Sequence, residues 1–134
     1  MVRKQITVFL LVAGFVGVLG ASACEIDIKP GSDPNTINIS SNGMVAVALF
    51  SMGTIYVPNF VDFDTVVFAG AVPVRWGLED VDGDGVDDAV FHFAVQELDV
   101  DATSTSASLT FSNLWGNQYT CTDTVRIVDA NAKN

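Results

Sequence analysis

Basic residues are scarce in this chain of 134 residues, which has six lysines and arginines against sixteen aspartates and glutamates. Two of the six cations, Arg3 and Lys4, lie at the very start of the chain. Residues 24–134 therefore keep four cations and all sixteen acids, a formal charge of −12. A surface of this charge argues against a nucleic-acid partner and favours a bound cation.

The sequence also contains little that indicates a catalytic site. His92 is the only histidine, and it stands between two phenylalanines in a strand-like run, which favours a structural role. Neighbouring carboxylates, such as Asp62 with Asp64 or Asp99 with Asp101, do not fall in a hydrolase motif that we recognise. Since an enzyme needs a nucleophile, an acid–base group or an open metal site, we expect that this protein is not an enzyme.

The first 23 residues have the order of a secretory signal peptide. A basic start precedes an apolar run at residues 6–19, and small residues with an A-x-A pattern follow at residues 20–23. The apolar run is shorter than the ~20 residues that a membrane span requires. The sequence therefore predicts cleavage after Ala23, no membrane span, and one secreted domain at residues 24–134.

The only two cysteines, Cys24 and Cys121, lie near the two ends of that domain. Export would place both in a compartment that permits disulfides, so we expect one bridge that ties the ends together. A second interpretation stays open, because residues 21–24 loosely resemble a lipobox in which Cys24 would carry a lipid anchor.

The domain contains short apolar and β-branched runs bounded by Gly, Pro, Asn and Asp, and no stretch of it sustains a helical period. These runs predict an all-β fold, an antiparallel β-sandwich of about 7–9 short strands. Phe91 and Phe93 should share one face of their strand and His92 the other. The predicted strands are residues 26–28, 36–39, 44–50, 65–69, 72–76, 89–95, 107–113 and 124–128.

An acidic segment at residues 79–88 holds six carboxylates in ten residues, which is electrostatically costly unless a cation neutralises it. Its spacing is D-x-D-x-D-G, with Asp80, Asp82 and Asp84 at positions 1, 3 and 5 of a calcium loop. Gly85 falls at position 6, where the chain turns sharply, and Val86 offers its carbonyl at position 7.

The loop departs from an EF-hand because position 12 is Phe91, which cannot supply a bidentate carboxylate. Asp88 at position 9 is the expected closing ligand, in a loop between strands. Ca²⁺ fits better than Mg²⁺, since Ca²⁺ accepts 6 to 8 oxygens at flexible angles. The alternative is a solvated acidic hairpin without a specific ion. The predicted ligands are Asp80, Asp82, Asp84, the Val86 carbonyl and Asp88.

Residues 26–35 read I-D-I-K-P-G-S-D-P-N, and residues 80–88 read D-x-D-x-D-G-x-x-D. With these two motifs the chain resembles a small module of secreted bacterial and archaeal proteins, and the similarity extends over nearly all of residues 24–134. The resemblance implies a secreted β-sandwich with a calcium site and no catalytic activity. Residues 111–119 depart from it, because such modules usually carry a glycine-rich polar hairpin there.

Because no catalytic neighbour accompanies the module in this sequence, we expect a structural role. The protein would be a self-assembling subunit of an extracellular filament, sheath or matrix, associating through sheet edges and residues 111–119. The alternative is a carbohydrate- or surface-binding adhesion module in which Trp76, Trp115 and Tyr119 stack on sugar rings beside the calcium site.

Overall fold

The computed structural model describes residues 24–131, so the predicted signal peptide at residues 1–23 lies outside the described residues. The described part contains nine strands, which confirms the all-β fold class. One short helix and one 3-10 turn interrupt them. In chain order the elements are β1 Ile26–Ile28, β2 Thr36–Asn38, β3 Met44–Leu49, α1 Val57–Phe60, β4 Val61–Phe68, β5 Arg75–Glu79, β6 Asp88–Ala94, the 3-10 turn Val95–Glu97, β7 Ser106–Asn113, β8 Gln118–Thr124 and β9 Arg126–Val128.

Two antiparallel sheets pack face to face. One has the strand order β1-β3-β6-β5 and the other has the order β4-β7-β8. Their inner faces are apolar at alternate positions, as in β7, where Ala107, Leu109 and Phe111 are buried. Phe68 and Phe93, on opposite sheets, pack with ring centroids 5.1 Å apart. These contacts place one hydrophobic core between the two sheets.

The predicted alternation in β6 is confirmed, because Phe91 and Phe93 are fully buried and His92 is only half-buried. A purely antiparallel sandwich is not observed, since β2 and β9 form a small parallel pair in which Thr36 lies beside Arg126. The Asn35 side chain fixes this pair by donating to the Thr124 carbonyl at 2.9 Å.

Four elements differ most from the sequence prediction. Strand β4 spans Val61–Phe68 rather than residues 65–69, because its first half carries Asp62 and Asp64 and does not form an apolar run. Strand β8 was not predicted, because Cys121 is its only buried residue and the rest of the strand is too polar to form an apolar run. Helix α1 was not predicted either, since it is only four residues long. Strand β5 begins at Arg75 rather than at Val72, because the tight turn that pairs Phe68 with Ala71 is followed by an irregular stretch.

A disulfide joins Cys24 to Cys121, which confirms the predicted intramolecular bridge. It uses the sulfur atom that a lipid anchor on Cys24 would need. The bridge fits a protein that works outside the cytoplasm, where disulfides persist. Within residues 24–131 no helix is long and apolar enough to cross a membrane.

Candidate metal centre

The acidic loop joins β5 to β6 at one end of the sandwich, and the Asp80 carboxylate organises it from within. Asp80 Oδ1 accepts hydrogen bonds from the N–H groups of Gly83 at 3.0 Å and Asp84 at 3.2 Å. Asp80 Oδ2 accepts from the Gly85 N–H at 2.8 Å. Gly83 and Gly85 have φ angles of 75° and 88°, a conformation that glycine adopts without strain. The loop is therefore wrapped around Asp80.

Asp88, the first residue of β6, is fully buried at the base of the loop. Its Oδ1 accepts a hydrogen bond from the Ser51 N–H and its Oδ2 accepts one from the Val81 N–H, each at 2.9 Å. The Ser51 hydroxyl in turn donates to the Asp87 carbonyl at 2.6 Å and accepts from the Val57 N–H at 2.9 Å. Asp88 and Ser51 thus connect the acidic loop to the segment that leads into α1.

Three of the predicted ligands converge. Asp80, Asp82 and Asp88 each offer a carboxylate oxygen, and these oxygens all lie within 4.8 Å of one another. Two oxygens that bind one ion from opposite sides at about 2.4 Å would be about 4.8 Å apart, so the group has the dimensions of a metal site. Asp80 and Asp82 are exposed whereas Asp88 is buried, so this group faces solvent on one side. These residues could hold a metal ion.

The charges within the loop act on each other in the absence of a cation. Partial desolvation raises the pKa of Asp82 above its ordinary value, and the negative charges of Asp88 and Asp84 raise it further. The pKa of Asp80 is lowered instead, mainly by the hydrogen bond from the Gly85 N–H. A cation near Asp82 would relieve the repulsion that opposes its ionisation.

The other two predicted ligands are placed differently. Asp84 does not belong to the converging group, and its Oδ1 accepts a hydrogen bond from the Val86 N–H at 2.9 Å. The Val86 carbonyl as a ligand stays a prediction. Sequence reasoning missed Ser51, which lies 37 residues before Asp88. No local signal could have revealed it, because the register that places Leu49 opposite Ala89 brings the two together.

Trp115 lies at the same end of the sandwich, because α1 contacts both the turn that carries Trp115 and Ser51, which is bonded to the acidic loop. The turn between β7 and β8 carries Trp115, which is 71% exposed. This turn is fixed to α1, since the Leu114 N–H donates to the Phe60 carbonyl at 2.9 Å and the Phe60 and Trp115 rings lie 5.9 Å apart. Tyr119 is half-buried and stacks on Phe111 with centroids 5.0 Å apart. Of these aromatic rings, Trp115 is the one most open to a partner.

Trp76, the remaining aromatic residue that was predicted to stack on sugars, lies elsewhere, on β5. It is 45% exposed and stacks on Phe63 with ring centroids 4.0 Å apart and an interplanar angle of 8°. One face of its indole is therefore covered by the protein itself.

No family model, curated protein or solved structure matches this chain. The resemblance to a secreted β-sandwich module, and the expectation that the protein is not an enzyme, both stay predictions.

Proposed function

We propose that this protein is an extracellular calcium-binding structural module. The observation that carries the proposal is the convergence of the Asp80, Asp82 and Asp88 carboxylates within 4.8 Å. The Asp84 carboxylate and the Val86 carbonyl are the two further oxygens that the loop spacing supplies. An all-oxygen donor set of this kind suits a hard cation and offers no nitrogen or sulfur for zinc.

Calcium suits the loop better than magnesium does. Magnesium demands near-ideal octahedral geometry and gives up its waters reluctantly, whereas calcium accepts irregular shells of mixed carboxylate, carbonyl and water oxygens. In this loop Asp80 is already held by three backbone N–H groups, and Asp88 by two more. Fixed oxygens at irregular angles favour the larger and more tolerant ion.

Calcium bound there has a structural effect through the contacts of Asp88. The ion would join exposed loop residues to a buried carboxylate that also accepts the Ser51 N–H. It would therefore stabilise the acidic loop and the segment before α1 together. Because metal binding to a folded site adds to the free energy of folding, the protein would be more stable outside the cell, where calcium is plentiful.

Titration calorimetry with CaCl₂ and MgCl₂ tests the site directly. We expect calcium binding to the wild-type chain, weaker magnesium binding, and loss of calcium binding in Asp82→Ala. The matched control is Asp99→Ala, which removes an exposed carboxylate outside the converging group and should bind calcium like the wild type. Equal calcium affinity in the wild type and Asp82→Ala would contradict the proposed site.

For the role of the module, we propose a self-associating subunit of an extracellular filament, sheath or matrix. Exposed apolar side chains at the sheet edge and at the end of the sandwich support this role, since such surfaces usually mark contacts. They include Val72, Val74, Trp76, Leu78, Leu114 and Trp115. Electron microscopy of the purified protein with and without calcium is the corresponding test, and assemblies are expected in calcium.

A second candidate is calcium-dependent glycan binding, which is favoured by the exposure of Trp115 at the same end as the acidic loop. An exposed indole can stack on a sugar ring, and sugar hydroxyls can fill the solvent-facing positions of a bound calcium ion. A glycan array would detect this activity. Binding should disappear both in EDTA and in Trp115→Ala, and binding that survives both changes would exclude this surface.

A further inference from the structure

The two long sides of the sandwich, where the edges of its sheets meet, are built differently. On one side β1 lies against β8, the disulfide joins Cys24 to Cys121, and the Ile28 N–H donates to Asp123 Oδ2 at 3.1 Å. On the other side the edge strands β4 and β5 face each other, and Phe63 stacks on Trp76 between them. The first side is closed by covalent and polar contacts, and the second is open.

On the open side, β4 carries the features that protect an edge strand from pairing with another chain. Its pairing with β7 shifts register between Asp62 and Val67, and Asp64 is exposed on it. Irregular register and charged side chains are the usual means by which proteins prevent edge-to-edge association. An added strand would pair poorly along β4.

Strand β5 lacks the irregular register, and its two charged residues, Arg75 and Glu79, have opposite signs and stand at its two ends. It pairs with β6 in continuous register from Arg75 to Glu79, and all five of its residues are exposed. Trp76 lies opposite the fully buried Phe91, so Trp76 and Leu78 point toward the inner face of the sheet, yet they remain 45% and 44% exposed. A regular edge with apolar side chains on its inner face is a template for strand addition.

The sequence of β5, Arg-Trp-Gly-Leu-Glu, is complementary to itself when it is reversed about its central glycine. We propose that β5 pairs antiparallel with β5 of a second copy around a two-fold axis at Gly77, which joins two four-stranded sheets into one sheet of eight strands. Arg75 of each copy then lies opposite Glu79 of the other, and Trp76 lies opposite Leu78. Both pairs are of kinds that stabilise antiparallel sheets.

Charge selects this arrangement over its alternatives. Parallel pairing in register would place Arg75 beside the second copy's Arg75, and like charges directly opposite destabilise a sheet. An antiparallel register centred on Trp76 would leave Arg75 opposite Gly77 and lose the ion pairs. At the centre, a β-carbon added to Gly77 would meet no atom within 4 Å, so the face of the sheet at this position is uncrowded. A two-fold contact of this kind is isologous, the commonest form of dimer.

This dimer rests on the self-association proposed above and names the surface that begins it, but it does not require the calcium site. Glu79 precedes Asp80 in the chain, so each measurement below is made both in EDTA and in CaCl₂. If the proposed calcium site is wrong, Asp82→Ala and the wild type should give identical calorimetry. If the proposed dimer is wrong, the wild type should sediment as a monomer both in EDTA and in CaCl₂.

A charge swap tests the pairing. In Arg75→Glu the second copy's Glu79 meets a like charge, and in Glu79→Arg the second copy's Arg75 does. Sedimentation across a concentration series should show dimers for the wild type and dimerisation weakened by about tenfold or more in each single variant. The double variant Arg75→Glu/Glu79→Arg should dimerise again. An equimolar mixture of the two single variants should form heterodimers, because all four charges are then complementary.

Cross-linking provides a second readout that does not depend on affinity. Under mild oxidation, Gly77→Cys should form a disulfide-linked dimer rapidly, since position 77 lies on the two-fold axis. Thr110→Cys, an exposed position in the middle of the other sheet, is the matched control and should cross-link slowly. The proposal would be overturned by a wild type that remains monomeric at high concentration, by single variants that sediment like the wild type, or by equal cross-linking at positions 77 and 110.

Discussion

Replacing Asp88 and replacing Asp82 should destabilise the protein under different conditions, because only Asp88 has a structural role without the ion. Asp88 is fully buried and accepts the N–H groups of Ser51 and Val81, each at 2.9 Å. In Asp88→Ala these donors lose their acceptor, and an unsatisfied buried donor costs about 1–3 kcal/mol. The Val81 bond is only partly buried, so we expect a total loss of about 3 kcal/mol in EDTA. For a domain of this size that lowers Tm by roughly 12 °C.

Asp82→Ala should lose stability only in calcium. Asp82 is exposed, and its Oδ1 accepts only a long hydrogen bond from the Asp84 N–H at 3.4 Å. Its loss also removes the repulsion from Asp88 and Asp84 that raises its pKa, so the melt in EDTA should match or slightly exceed that of the wild type. In calcium at a hundredfold excess over Kd the wild type gains about 2.7 kcal/mol, or roughly 11 °C in Tm. Asp82→Ala should lose most of that gain.

Thermal melts followed by circular dichroism, in EDTA and in millimolar CaCl₂, measure both effects on the same samples. Asp99→Ala serves as the control and should follow the wild type in both buffers. Wild-type melts that superimpose with and without calcium would refute the metal site. An Asp88→Ala melt that superimposes on the wild type in EDTA would refute the role of its two hydrogen bonds.

Three further predictions concern the rest of the fold. Replacing both Cys24 and Cys121 with serine opens a covalent loop with a sequence separation of 97, and denaturant titration should show a loss on the order of 4–5 kcal/mol in the chain-entropy model. Burial, followed by the charge of Asp123, raises the pKa of Asp27, so its ionisation lowers folding stability as pH rises above the ordinary Asp range. Asp27→Asn should therefore melt above the wild type at neutral pH in EDTA, and the difference should vanish in acid, where the Asp27 carboxyl is protonated in the folded and the unfolded chain. Trp115→Ala should change the free energy of unfolding by less than about 0.5 kcal/mol, because this side chain is 71% exposed, and a large loss in denaturant titration would contradict its placement on the surface.

Local patterns predicted the fold class and part of the site. The alternation of apolar and polar residues in β6 and β7 is visible in sequence, because side chains of a strand point alternately to its two faces. The spacing of Asp80, Asp82 and Asp88 also placed three carboxylates in one group, since a loop this short with two glycines can turn them inward. Both the strand alternation and the grouping of the carboxylates are set by residues within about ten positions of each other in the sequence.

The features that the sequence did not reveal depend on residues far apart in the chain. Ser51 meets Asp88 through the register of β3 with β6. Strand β8 is almost entirely polar and forms because β7 supplies its hydrogen-bonding partners. Backbone hydrogen bonds can hold a strand in a sheet whatever its side chains, so no apolar run needs to mark it.

The exposure of β5 was likewise decided by tertiary structure. The apolar run at residues 72–76 predicts a strand, and the structure has β5 at Arg75–Glu79. The facing sheet ends at β4, however, and although the ring of Phe63 stacks on Trp76, the Trp76 side chain remains 45% exposed. Sequence alone determined that these side chains are apolar. The width of the opposing sheet decided that they remain in water, because burial depends on what lies across the core.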